Sequence, residues 1–91
     1  MNFAGGYSKI EDHSHEKIQE IVQFGHNEIR KRTNSNYHLR RIISVEKQIV
    51  NGVNYRIKAE FVENAQVTIH EIVVHQSFKG DLKLSKHKIV N

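Results

Sequence analysis

Three groupings of side chains in this sequence could carry chemistry. His13-Ser14-His15 offers two imidazoles of the kind that bind zinc. Glu28 or Glu46 could couple with one of the seven histidines as an acid–base pair. Arg30-Lys31-Arg32 and Arg40-Arg41, with Tyr37 between them, could hold a polyanion. The first two lack company. His13 and His15 do not share a face at a helix start, and no Cys or carboxylate cluster completes a ligand set. No nucleophile motif, Gly-rich phosphate loop or paired-carboxylate spacing accompanies the glutamates. The absence of Cys excludes thiol catalysis and Cys-based zinc sites. No catalytic residue, metal or cofactor is therefore expected. The seven imidazoles do make the charge sensitive to mild acid, because an unperturbed one titrates near about pH 6.5.

A different chemistry, burial of apolar surface in another molecule, is offered by Gln48-Ile49-Val50-Asn51-Gly52. Asn51-Gly52 predicts a type I′ hairpin turn. Ile49 and Val50 are consecutive just before it, so one of the two must face away from the core. A second Gly-containing turn, Ser77-Phe78-Lys79-Gly80, carries an aromatic. Apolar groups on two turns suggest a surface built for insertion.

The elements that hold these turns can be read from periodicity. Ile18, Ile21, Val22, Gly25 and Ile29 make one stripe of a helix predicted from about Asp12 to Arg32. Asp12 or Ser14 is expected to cap it, and Glu28 to pair with Arg32. Gly25 in mid-stripe costs the helix about 1 kcal/mol relative to Ala, so a neighbour is expected to approach closely there. After Thr33-Asn34-Ser35-Asn36 the period becomes two. Tyr37, Leu39, Ile43, Val45 and Ile49 predict a long strand that Arg41 and Lys47 interrupt, as at a bulge. Val53, Tyr55, Ile57, Ala59 and Phe61 alternate cleanly with polar residues. A turn at Asn64-Ala65 leads to Val67, Ile69, Ile72, Val73 and Val74, with a phase shift near Glu71, and a last strand carries Leu82 and Leu84. Short turns make neighbours antiparallel, so the expected class is α+β: one helix packed across a twisted antiparallel meander of four to five strands. Alternation of direction puts the turns at 50–52 and 77–80 at the same end of the sheet.

Residues 1–91 suit a single domain, being too few for two cores. With 37% apolar and 26% charged residues and no Pro, the chain reads as soluble and globular. No stretch reaches the roughly 18 to 20 apolar residues of a membrane-spanning helix. The start MNFAGGYSKIEDHS has no basic segment followed by an apolar block, so no signal peptide is visible. Met1 and the lack of Cys favour the cytoplasm, with a processed extracellular protein as the alternative. A net charge of +4 is mild and falls short of a nucleic-acid signature.

Gln48-Ile49-Val50-Asn51-Gly52 resembles the Gln-x-Val-x-Gly pattern of cystatins, protein inhibitors of papain-like cysteine proteases. Gly5-Gly6 resembles the N-terminal glycine of that family, and the helix end Asn27-Glu28-Ile29-Arg30-Lys31-Arg32 its helix. VEKQIVNGVNYRIKAEF, Val45 to Phe61, resembles its central hairpin, and Leu84-Ser85-Lys86 its last strand. The likeness runs collinearly through nearly the whole chain. Secreted cystatins often have Pro-Trp in the second loop. This chain has Ser77-Phe78 there, and its Gln76-Ser77 and lack of Cys resemble the disulfide-free stefins instead.

The resemblance implies a cystatin-like fold and a non-enzymatic inhibitor of cathepsin-type, papain-like cysteine proteases. It implies that the protease is met by Gly5 and Gly6, by Gln48, Ile49, Val50, Asn51 and Gly52, and by Ser77 and Phe78. The wedge would occlude the cleft reversibly, its N-terminal segment lying along the non-primed subsites. A monomer is expected, with hairpin exchange to a dimer left open by the long strands. No nucleic-acid or membrane partner is expected. The alternative is a non-inhibitory cystatin-fold binding module that presents Arg30-Lys31-Arg32 and Arg40-Arg41 to an anionic partner.

Overall fold

The structure, a computed structural model, describes residues 6–90. Strand β1 (Tyr7–Ile10) precedes helix α1 (Glu16–Thr33), and strands β2 (His38–Ile49), β3 (Val53–Glu63), β4 (Gln66–Gln76) and β5 (Leu82–Ile89) follow. All five strands form one antiparallel sheet in sequence order, and α1 packs across one face. No helix among the described residues is long and apolar enough to cross a membrane.

Helix α1 buries the stripe Ile18, Ile21, Val22, Gly25 and Ile29 as its periodicity predicts. Its start differs from expectation. Asp12 accepts from the Ser14 backbone N–H and hydroxyl, closing a turn of its own, and the N-cap is His15. The His15 Nδ1 accepts from the Lys17 N–H at 3.1 Å, so this imidazole supplies the acceptor that Ser or Asp usually provides. At the other end Asn34 takes a left-handed conformation and its N–H returns to the Arg30 carbonyl, a common way to stop a helix. Glu28 pairs with Lys31, while Arg32 reaches across to donate to the Leu84 carbonyl at 2.9 Å. The expected Glu28–Arg32 pair yields to this tie between helix and sheet.

At Gly25 the helix lies close against the sheet. A Cβ there would lie 2.7 Å from Ile72 Cδ1 and 3.3 Å from Val74 Cγ2. The helix-propensity cost of glycine is thus offset by the seating of α1 on β4.

The sheet curls around the helix through three irregularities. In β2 the register shifts between Leu39 and Arg41, and again between Ile42 and Ser44. Each adds a residue, so Leu39, Ile42 and Val45 contact the core at every third position. Ile43, expected on the core face, is the extra residue of the second bulge and is displaced from it. The first bulge lets the consecutive Arg40 and Arg41 both reach Glu60, at 2.6 and 2.9 Å. A third shift, at Ser85, interrupts β5 after the buried Leu84, and the Ser85 hydroxyl donates to the Val73 carbonyl.

Strand β3 alternates as expected, burying Tyr55, Ile57, Ala59 and Phe61. Strand β4 does not shift phase near Glu71. Its pairing with β3 is unbroken, and the core position between Thr68 and Ile72 is taken by His70, opposite Ala59. A buried polar residue in the apolar row accounts for the apparent shift. His70 is fully buried, edge-on to Phe61 and Tyr37, and stacked on His87 of β5 with ring centroids 5.1 Å apart. Its two nitrogens are satisfied by Thr68 Oγ1 at 2.7 Å and His87 Nε2 at 2.8 Å.

Burial lowers the pKa of His70 to about 4, with a further contribution from His87. His87 is lowered too, by burial first and then by Arg32. Below about pH 6.5 the unfolded chain therefore binds protons that the folded chain refuses. Stability contributed by the pair is complete above that pH and is lost as pH falls towards about 4. The loss is expected to approach about 1.4 kcal/mol per pH unit for each fully shifted imidazole. Urea unfolding at pH 7 and pH 5 measures it. A His70→Leu variant should lose less than the wild type over this interval, and an equal loss would refute the assignment. Gly25→Val is expected to lower stability by about 2 kcal/mol through overpacking against Ile72. An unchanged urea midpoint would contradict the close seating.

Candidate functional site

The length of the strands decides what projects. An 18-residue helix spans about 27 Å, whereas the 12 residues of β2 span about 40 Å. Helix α1 therefore cannot cover the whole sheet, and the molecule is 45 Å long but only 24 by 23 Å across. The overhang ends in the β2–β3 and β4–β5 loops, which antiparallel order places side by side. Tyr7 pairs with Gln48, so the start of β1 and the exposed Gly6 lie at this same end. Gly6, loop 1 (residues 50–52) and loop 2 (residues 77–81) thus stand in a row along one edge. Gly5, the other expected N-terminal contact, lies outside the described residues.

Loop 1 is a three-residue connection. Both Asn51 and Gly52 have positive φ, at 43° and 107°, as a type I′ turn requires. The strand pairing nevertheless ends at Ile49 opposite Val53, and the Val50 N–H donates to the Gly52 carbonyl at 3.1 Å. Val50 is therefore part of the loop, where a two-residue turn would have kept it in the strand. This resolves why two apolar residues stand together. Ile49 is the last ladder residue, beyond the reach of the helix and 65% exposed, and Val50 is a half-buried loop residue.

Gly52 is buried although it sits at a hairpin tip. A Cβ here would overlap the Gln76 carbonyl oxygen and crowd the His75 ring, so glycine is needed for closeness as well as for its φ. Loop 1 rests on the end of β4, where loop 2 begins.

Loop 2 is organised around Ser77. Its N–H donates to the Asp81 carbonyl at 2.9 Å, and its carbonyl accepts from the Gly80 N–H at 2.9 Å. Its hydroxyl oxygen accepts from the backbone N–H groups of Lys79 and Asp81, at 3.2 and 3.1 Å. The Gln76 amide adds a long bond to the Gly80 carbonyl, and Gly80 supplies a φ of 95°. Four backbone bonds converging on one serine fix the loop without a proline. They hold Phe78 at the apex, 85% exposed, the most exposed of the large apolar side chains described.

Two residues behind the tips carry weight that periodicity does not reveal. Asn54 bonds both to Gln48 and to His75, at 2.8 and 2.6 Å. The available signal was positional: polar residues at the first outward-facing positions inside strands whose tips are apolar.

The other candidate groupings are, among the described residues, engaged elsewhere or incomplete. Among the described residues no three His, Asp or Glu side chains are placed to hold a metal. His15 is used as a helix cap, and Gln19 is bonded to the His13 carbonyl. In the basic runs, Arg30 donates to Asn36, Lys31 pairs with Glu28, Arg32 with the Leu84 carbonyl, and Arg40 and Arg41 with Glu60. Hydrogen bonds from Arg41 and Arg40 hold the Glu60 carboxyl below its usual pKa.

Residues 5–90 match the family described as Cystatin domain. Cystatin-A3 of Dictyostelium discoideum is 33% identical over 87 residues, covering 92% of this chain and 88% of that protein. Cysteine proteinase inhibitor 5 of Arabidopsis thaliana is 37% identical over 54 residues, which are 59% of this chain and 44% of that protein. Cysteine proteinase inhibitor 1 of Actinidia chinensis var. chinensis is 31% identical over 71 residues, 78% of this chain and 61% of that protein. The crystal structure of a salivary cystatin from the soft tick Ornithodoros moubata has the same fold, with a TM-score of 0.74 at 14% identity, covering 98% of this chain and 100% of that one. With one helix laid across a five-stranded antiparallel sheet and this match over residues 5–90, the chain belongs to the cystatin family.

Proposed function

We propose that this protein is a reversible, non-enzymatic inhibitor of papain-like cysteine proteases of the cathepsin type, acting as a monomer that fills the substrate cleft. The observation that carries the reading is the row of Gly6, loop 1 and loop 2 along one overhanging edge, with Ile49 and Phe78 exposed on it. The family match and the relatives named cysteine proteinase inhibitors support it.

The protease would be met at three places. Gly5 and Gly6 let the N-terminal segment lie along the non-primed subsites. Gln48 to Gly52 enter beside the catalytic thiolate, and Ser77-Phe78 on the neighbouring loop enter with them. No peptide bond of the wedge is offered in a substrate-like pose, so the thiolate has nothing to attack and occlusion alone blocks turnover. Burying Ile49, Val50 and Phe78 contributes roughly 1.5 to 3 kcal/mol each. Association opposes this with about 4 kcal/mol or more of lost translational and rotational freedom. Loops already fixed by backbone bonds add little further ordering cost, so a net favourable complex follows.

Papain and a fluorogenic peptide test the proposal. Inhibition is expected at or below micromolar concentration, and its absence there would end it. Val50→Asp places a charge where the cleft is dry and should weaken inhibition by about thirtyfold or more, equivalent to about 2 kcal/mol. Gly52→Val should weaken it as well, because the side chain would displace loop 1 from the Gln76 carbonyl. If both variants remain folded and inhibit as well as the wild type, loop 1 is not the contact.

A further inference from the structure

On the face of the sheet turned away from α1, the first residues behind the tips form a row. Gln48 of β2 is opposite Asn54 of β3, and Asn54 is opposite His75 of β4. Their side chains are bonded in series. Asn54 Nδ2 donates to Gln48 Oε1 at 2.8 Å, and Asn54 Oδ1 lies 2.6 Å from His75 Nδ1. A primary amide has one donor end and one acceptor end. With Nδ2 given to Gln48, Oδ1 must accept, so His75 carries a proton on Nδ1. The opposite edge of the same ring faces loop 1. A Cβ on Gly52 would lie 3.1 Å from His75 Nε2 and 3.2 Å from Cε1. His75 is therefore braced by Asn54 on one side and supports Gly52 on the other. Two residues further along β4, Ser77 begins loop 2.

We propose that Asn54 and His75, neither of them in a tip, are positioning residues, and that the Gln48–Asn54–His75 relay fixes the spacing between loop 1 and loop 2. The β3–β4 ladder joins the two hairpins as far as Val53–Gln76, and the ladders within the hairpins end at Ile49–Val53 and Gln76–Leu82, so the loop residues beyond these pairs have no strand pairing to hold them. The relay crosses three strands just behind that point. Anchors carried on separate loops must keep their spacing to within about 0.5 Å to enter one cleft together. Loss of the relay is a loss of preorganisation, and such losses appear mainly in the dissociation rate. The consequence for inhibition rests on the proposed function; the coupling of the two loops does not.

Four variants separate the parts. Asn54→Leu removes both bonds. His75→Phe keeps a ring beneath Gly52 but has no donor. His75→Asn keeps a donor near the Nδ1 position but has no ring. Ile72→Val lowers stability from the core without touching the relay. Amide hydrogen exchange of the free protein is read at Val50 and Gly80, whose N–H groups bond within loop 1 and loop 2. Dissociation from papain is followed in parallel.

Asn54→Leu should speed exchange at both amides together and speed dissociation about tenfold. His75→Phe and His75→Asn should each give a smaller change in both readouts. Ile72→Val should leave both near wild type at temperatures well below its unfolding. Unchanged exchange at both tips in Asn54→Leu, or the same rise in Ile72→Val, would overturn the proposal. If Asn54→Leu does not fold, His75→Phe decides by the same criteria. If the wild type fails to inhibit papain, the inhibitory reading falls, and exchange alone decides the relay. If the wild type inhibits and exchange rises without faster dissociation, the relay couples the loops but does not position the wedge, and the proposal is overturned as stated.

Discussion

The close seating of the helix on the sheet at Gly25 is the contact from which the other features follow. Any side chain at that position would meet Ile72 and Val74, so its absence sets how near α1 lies to β4. A sheet wrapped tightly about a single helix must curve more than pleating and twist alone supply. The two bulges of β2 and the one in β5 provide that curvature, and Arg32 ties the helix end to the Leu84 carbonyl just before the β5 bulge. The helix then covers only part of the long strands. What it leaves bare at one end is the row of Gly6, loop 1 and loop 2.

That edge has an unusual burden in a domain of 91 residues with no disulfide. It must expose Ile49 and Phe78 to water and still hold them in fixed positions. Apolar burial cannot do this, since the anchors are unburied by design. The work falls to polar contacts: the Ser77 hydroxyl and backbone, the Val50–Gly52 bond, and the packing of Gly52 on the Gln76 backbone. Each is modest, at about 1 kcal/mol for an ordinary hydrogen bond. Several converging on a few residues can nevertheless restrict a loop that has no proline. Ser77 illustrates the exchange: the rigidity a proline would give through its ring is supplied here by acceptance of two N–H groups at one hydroxyl.

How much of this could be read from the sequence depended on whether local pattern and tertiary demand agreed. They agree in the stripe of α1, in the alternation of β3, and in Gly25, where a propensity cost pointed to a close neighbour. They disagree wherever an extra residue enters a strand. Ile42 and Ile43 are adjacent and equally apolar, and only the bulge decides which faces the core. His70 is the reverse case: the strand stays regular, but a histidine in a core position looks like a change of phase. His15 as a helix cap was hidden for a similar reason, because imidazole is rarely used that way. Of the site, the loops and their apolar tips were legible, while Asn54 and His75 were not, since their importance comes from cross-strand register.

The same molecule therefore keeps two kinds of histidine in opposite roles. His70 and His87 lie under the helix face, where burial disfavours the charged form, so acid works against the core they complete. His75 lies on the other face, and its Nδ1 is already the donor to Asn54. Acid thus loosens the domain from its core, at His70 and His87. An edge held by its own polar contacts can keep its shape until the fold beneath it gives way.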